Sequence, residues 1–197
     1  MPKTIDQFNI IIVGTGGQGL ITLLQIIAEA AASEGFDVRT SELHGLSQRG
    51  GSVEVHIRFG KKIYSRLVAQ GKADLILSLE AQESLRAAYF ANSKTVFLIN
   101  KHFVPIIGQE IQSESQISKE LQKISKNINF ILAAEICQKE LGTSVTSGIY
   151  LLSLATLKQN LPLNSASILK AIKEVIPEKF LDINLKTFEL AQKYAKE

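Results

Sequence analysis

Apolar residues recur along this chain with two different periods, and the switching between them predicts a wound α/β fold. Phe8 and Ile10 to Val13 form a nearly unbroken apolar run, as expected of a strand buried on both faces. From Leu20 to Ala32 the chain is rich in Leu and Ala without Pro or Gly, which favours a helix. Gly35 is placed to cap that helix, and 37–41 predicts a second strand, completing a β-α-β unit. Val53, Val55, Ile57 and Phe59 then alternate with Ser52, Glu54, His56 and Arg58, the two-residue period of a half-buried strand. Gly60-Lys61-Lys62 turns the chain, so that Ile63 to Ser65 can pair back as an inserted hairpin. Strand and helix alternate again over 74–79, 80–90 and 95–100. A helix capped at Ser113, with Gln116 at capping-box spacing, precedes a last strand over 129–132.

The final third predicts four helices, over 133–141, 145–159, 165–176 and 181–195. Ile168/Ile172/Val175 and Leu181/Leu185/Phe188/Ala195 form single stripes that bury one face each. The helix containing Ile149 to Leu157 is apolar on most sides, so it is either enclosed by the sheet and other helices or covered by another protein. The fold expected is a three-layer α/β/α sandwich around a mixed, mostly parallel sheet, with a Rossmann-like start, an inserted hairpin and a helical C-terminal third.

With 197 residues, 45% of them hydrophobic, the chain can bury a substantial core, and one domain over 1–197 is expected. The 22 basic and 19 acidic residues leave a charge of +3 with no block of like sign, which argues against a nucleic-acid groove or a polybasic anchor. Cys137 is the only cysteine. That excludes an intramolecular disulfide, a Cys-x-x-Cys pair and a thiolate set for an iron–sulfur cluster, and suits a reducing cytoplasm. Met1 to Asp6 lack the apolar core of a signal peptide, and the uncharged stretch near 141–157 is broken by Gly, Ser and Thr, so no membrane segment is expected.

Two glycine segments carry the candidate chemistry. Gly14-Thr15-Gly16-Gly17-Gln18-Gly19 links the first strand to the first helix with G-x-G-x-x-G spacing, which permits a tight bend and close approach of backbone to a ligand. The amides at such a helix start can hold phosphate or another anion; the alternative is a tight turn without a ligand. A dinucleotide reading would need an acidic residue near Glu42, but the hairpin expected after Gly51 occupies the place of a second Rossmann crossover. Glu42 to Gly51 form the second segment, with Glu42, His44, Gln48 and Arg49 among Gly45, Gly50 and Gly51. Arg49 beside two glycines can present a guanidinium and bare amides to phosphate or carboxylate, or it can pair with Glu42 internally. His44 and His56 lack a third partner at metal-ligand spacing, and no metal is expected.

On the motifs Gly14 to Gly19 and Ser41 to Val53, with Asn184 to Glu189 in support, the chain resembles the gamma-type subunits of the 2-oxoacid:ferredoxin oxidoreductases. Within them it is most similar to the smaller, beta subunit of indolepyruvate ferredoxin oxidoreductases. The resemblance implies oxidative decarboxylation of a 2-oxoacid to an acyl-CoA, with electrons passing to ferredoxin. It places thiamine diphosphate, Mg and the iron–sulfur clusters on a larger partner subunit, leaving this chain inactive alone. By motif match, the CoA or substrate side of the site falls to Gly14, Thr15, Gly16, Gly17, Gln18 and Gly19 and to Glu42, His44, Gln48, Arg49, Gly50 and Gly51. The isolated chain can also self-associate through surfaces a partner would cover. Two other readings are a stand-alone nucleotide- or CoA-binding module and a purely structural subunit docked through the helix at 149–157.

Overall fold

A computed structural model of the chain describes residues 5–45, 51–105 and 112–195. The strands are β1 (Gln7–Thr15), β2 (Asp37–His44), β3 (Ser52–Gly60), β4 (Leu75–Ser78), β5 (Val96–Asn100) and β6 (Ile128–Ile131). The helices are α1 (Leu20–Ser33), α2 (Glu83–Ala87), α3 (Glu114–Leu121), α4 (Ala133–Leu141), α5 (Ser147–Leu157), α6 (Ser165–Val175) and α7 (Glu178–Tyr194). One six-stranded sheet runs in the order β2-β3-β1-β4-β5-β6. β1, β4, β5 and β6 are mutually parallel, and β3 lies antiparallel between β1 and β2.

The unbroken apolar run of β1 follows from this central position. Ile10 and Ile12 face a core shared with α1, α5, α6 and α7, whereas Ile11 and Val13 face a second core closed by α2 and α3. All four are at most 1% exposed, each such burial contributing about 1.5–3 kcal/mol. The expected three-layer arrangement is thereby met. Ser113 also caps α3 as its spacing predicts, with the reciprocal Gln116 contact of a capping box.

Two expectations are corrected and one open alternative is decided. Residues 63–65 form no strand, because β3 already has β1 on one side and β2 on the other and offers no open edge. The hairpin is instead β2–β3, with His44 opposite Val53. The segment after β3 is tied down by side chains. Ile63 N–H donates to Asp37 Oδ2 (2.9 Å), Arg58 Nη1 to the carbonyls of Ser65 and Leu67 (2.9 and 3.1 Å), and Val68 N–H to His56 Nδ1 (3.1 Å). The helix expected over 80–90 is confined to α2 followed by a 3-10 turn at Ala88–Phe90, since Glu80 is spent on bracing the entry to α2. Finally, Gly148 to Thr156 of α5 are buried by the chain itself. A Cβ on Gly148 would come within 3.1 Å of Leu23 Cδ1, so glycine lets α1 and α5 pack closely. The apolar face proposed to dock a larger subunit is therefore consumed internally.

Candidate functional site

β1, β4, β5 and β6 all end on one edge of the sheet. The chain leaves β1 toward α1 on one face and β4 toward α2 on the other, so the winding reverses between β1 and β4. In open α/β sheets a crevice forms outside the strand ends at such a reversal. The glycine turn lies at this point. Gln18 folds back so that its Oε1 accepts from Thr15 N–H (2.8 Å), and Gly17 and Gly19 take left-handed φ values of +96° and +80°. A Cβ at either glycine would meet nothing within 4 Å, so the backbone there is bare. Gly14 differs, being wedged between Gln18 and Leu79.

Gly19 also precedes α1, which has neither a side-chain N-cap nor an acidic residue in its first turn. The first amides of a helix have no intrahelical acceptor and carry the positive end of the dipole. Because Gly16 N–H is donated to Gly51 O (2.9 Å) and Thr15 N–H to Gln18, the amides suited to an anion are those of Gly17, Gly19 and the first turn of α1.

Of the second motif, Gln48, Arg49 and Gly50 lie outside the described residues. Glu42 and His44 belong to β2 rather than to a loop, and His44 Nε2 lies 3.1 Å from Glu42 Oε2 in an exposed pair. With β3 interposed, β2 is two strand spacings from β1, about 10 Å. A dinucleotide ribose held by the glycine turn needs its acidic partner on the adjacent strand, so Glu42 does not fill that role. Gly51 does reach the turn, through its carbonyl.

The same edge holds polar residues that the motifs did not single out. Glu80 is 2% exposed, and its Oε1 accepts from Val104 N–H (3.1 Å) while Oε2 accepts from Glu83 N–H (2.8 Å). Asn100 donates to Leu79 O (3.2 Å) and accepts from Ala134 N–H (3.1 Å), joining β5 to the end of β4 and to α4. Glu83, also buried, accepts from Ser52 Oγ and lies 3.3 Å from Arg86 Nε. A polar residue closing an apolar strand, as in Leu79-Glu80 and Ile99-Asn100, is the sequence signal that marks them.

Burial, outweighing its backbone hydrogen bonds, raises the Glu80 carboxyl above its ordinary 4.5. The folded state then binds the proton more tightly than the unfolded chain, and this stability is present below 4.5 and lost as pH rises through the folded value. The stability difference between wild type and Glu80→Gln, read from urea midpoints at several pH values, is expected to shift in favour of wild type as pH falls. A difference independent of pH would contradict this assignment.

On the other side of the turn, a groove of about 640 Å³ opens at Gln18 and Gly19. It is walled by Leu23, Val145, Phe180 and Ile183, with Val145 81% and Phe180 50% exposed. Among the described residues no group of three His, Cys, Asp or Glu side chains could hold a metal. Cys137 is fully buried and its thiol is pushed up by that burial, which keeps it from acting as a thiolate.

Sheet order and helices together define a wound α/β chain with a bare glycine turn at the winding reversal. The chain belongs to the pyruvate ferredoxin/flavodoxin oxidoreductase family, whose pattern it matches over residues 9–194. It is 34% identical to the indolepyruvate oxidoreductase subunit IorB of Pyrococcus horikoshii, over 98% of each chain. It is also 34% identical to IorB of Archaeoglobus fulgidus, over 96% of each. Among solved structures, the pyruvate oxidoreductase subunit PORC of Thermotoga maritima shares the fold, with a TM-score of 0.71 at 18% identity over 96% of this chain and 97% of that one. A 2-oxoglutarate:ferredoxin oxidoreductase of Magnetococcus marinus, solved with 2-oxoglutarate, coenzyme A and succinyl-CoA bound, contains the same fold. There the TM-score is 0.73 at 19% identity, over 98% of this chain and 31% of the longer one.

Proposed function

We propose that this chain is a single-domain, non-autonomous subunit of a cytoplasmic 2-oxoacid:ferredoxin oxidoreductase acting on indolepyruvate or a related aryl pyruvate. The observation that carries the reading is the bare glycine turn at the winding reversal, beside an edge that contains no metal set among the described residues. Such an edge suits a binding wall for an anionic co-substrate, and the IorB relatives are oxidoreductase subunits along their full length. No helix among the described residues is long and apolar enough to cross a membrane.

Coenzyme A supplies the thiol that receives the acyl group. Its diphosphate suits the amides of Gly17, Gly19 and the start of α1, with Arg49 the cation nearest in sequence to the loop neck. Gln18 keeps the turn closed by holding Thr15 N–H, and Gly16 keeps it beside Gly51. Thiamine diphosphate, Mg and iron–sulfur clusters belong, in this reading, to a larger subunit that covers the apolar groove next to the turn and passes electrons to ferredoxin. Reconstitution with that subunit is expected to create indolepyruvate- and CoA-dependent viologen reduction. Gly19→Val, which puts a branched residue at φ +80°, should raise the KM for CoA by about tenfold or more. Equal activity of the large subunit without this chain would sink the proposal. Tight CoA binding by the isolated chain, measured by calorimetry, would favour a stand-alone module instead.

A further inference from the structure

We propose that Glu83 is a positioning residue which, through the hydroxyl of Ser52, clamps the neck of the β2–β3 hairpin against the glycine turn. The hairpin closes with Gly45 N–H donating to Ser52 O (3.0 Å), so its loop leaves at Gly45 and returns at Gly51, carrying Gln48 and Arg49 between them. The two residues of the returning limb engage opposite sides of the crevice. Gly51 O accepts from Gly16 N–H, on the turn that leads to α1, whereas Ser52 Oγ donates to the Glu83 carboxylate on α2. These helices pack in different cores, so the neck is bonded across the winding reversal.

The anchor on the α2 side is fixed. Glu83 N–H is held by Glu80 Oε2, and Glu80 Oε1 is held by Val104 N–H beyond β5. Burying a carboxylate is unfavourable unless it is partnered, and an apolar residue would serve packing better at a position 4% exposed. Among the described residues its side-chain partners are Arg86, which is largely solvent-exposed, and the Ser52 hydroxyl. A hydrogen bond from a hydroxyl to a buried side-chain oxygen is directional, as a clamp requires, and its geometry needs only the acceptor oxygen. Without it the neck would be held only by the backbone ladder that pairs Ser52 with Thr15 and Val53 with His44. The loop beyond would begin and end on glycines, the residues least able to hold one orientation.

The expected effect on CoA rests on the functional reading above; the clamp itself does not. Hydrogen exchange of the full-length chain measures the clamp at the Gly16 amide. Ser52→Ala and Glu83→Ala are expected to speed that exchange by about tenfold, the size of losing one buried hydrogen bond, while the amides of Ile11 and Ile12 stay protected. Glu83→Gln keeps an oxygen for the Ser52 hydroxyl and should restore slow exchange at Gly16. In the reconstituted complex the same Ala variants should raise the KM for CoA with kcat little changed, and Glu83→Gln should reverse the rise. Unchanged Gly16 exchange in Ser52→Ala, which is the milder substitution, overturns the proposal. Faster exchange with an unchanged KM upholds the clamp and removes CoA from this edge.

Discussion

Gly14→Val is expected to abolish CoA-dependent turnover of the reconstituted complex and to destabilise the chain by about 2–4 kcal/mol. Gly14 is the last-but-one residue of β1, opposite Val53, and an ideal Cβ there would lie 2.5 Å from Gln18 Oε1 and 3.1 Å from Leu79 Cβ. The Gln18 side chain could swing away, but only by abandoning Thr15 N–H, which holds the turn closed. Leu79 is less able to move, because its N–H donates to Val13 O at 2.8 Å and its side chain is 1% exposed. Overpacking of about 1–3 kcal/mol and one lost hydrogen bond of about 1 kcal/mol give the total. Thermal melts and steady-state kinetics check the two halves separately. A Gly14→Val chain that melts like wild type would show that β1 and β4 are not held as closely at this edge as the contacts indicate.

This sensitivity was legible in the sequence because the glycine spacing states a backbone requirement that no other residue meets. The same holds for β1, whose unbroken run announces burial on two faces, and for α3, whose capping box is local. Pairing order was not legible. The alternation of Val53, Val55, Ile57 and Phe59 says that β3 has an inward face, but nothing in it says that β1 and β2 both flank it. Once β3 sits between them, Ile63 to Ser65 have no edge to join, and Glu42 is carried a strand too far from the turn for a dinucleotide.

Glu80 and Glu83 were concealed for a related reason. Acidic residues at the start of a helical run ordinarily read as a solvated face favourable to the helix dipole. Their burial depends on Val104 and Ser52, which are 24 and 31 residues away along the chain. The long-range partners become visible only when β3, β4 and β5 bring their ends to one edge. The apolar helix near 149–157 was ambiguous by composition alone, and its enclosure by α1, α4, α6, α7 and β5 resolves it.

With α5 spent inside the chain, the proposed docking surface for a larger subunit is the groove beside the turn, and Val145→Asp combined with Phe180→Asp is expected to weaken association with that subunit by at least about a hundredfold. A single exposed apolar side chain needs no explanation. Here Val145, 81% exposed, and Phe180, 50% exposed, stand on the walls of one groove of about 640 Å³ that opens at Gln18 and Gly19. In the proposed assembly a partner that brings its cofactor to the turn covers that opening, and the two carboxylates trapped beneath it would be desolvated, with Lys179 near position 180 a counter-charge for one of them at most. Because both side chains reach solvent in the isolated chain, the double variant should melt within about 1 kcal/mol of wild type. Leu152→Asp, by contrast, places a charge in a fully buried position of α5 and should unfold the chain before any question of assembly arises. Size exclusion and calorimetry with the large subunit distinguish the cases. A double variant that binds with wild-type affinity would move the interface elsewhere, and one that instead loses self-association of the isolated chain would assign the groove to a second copy.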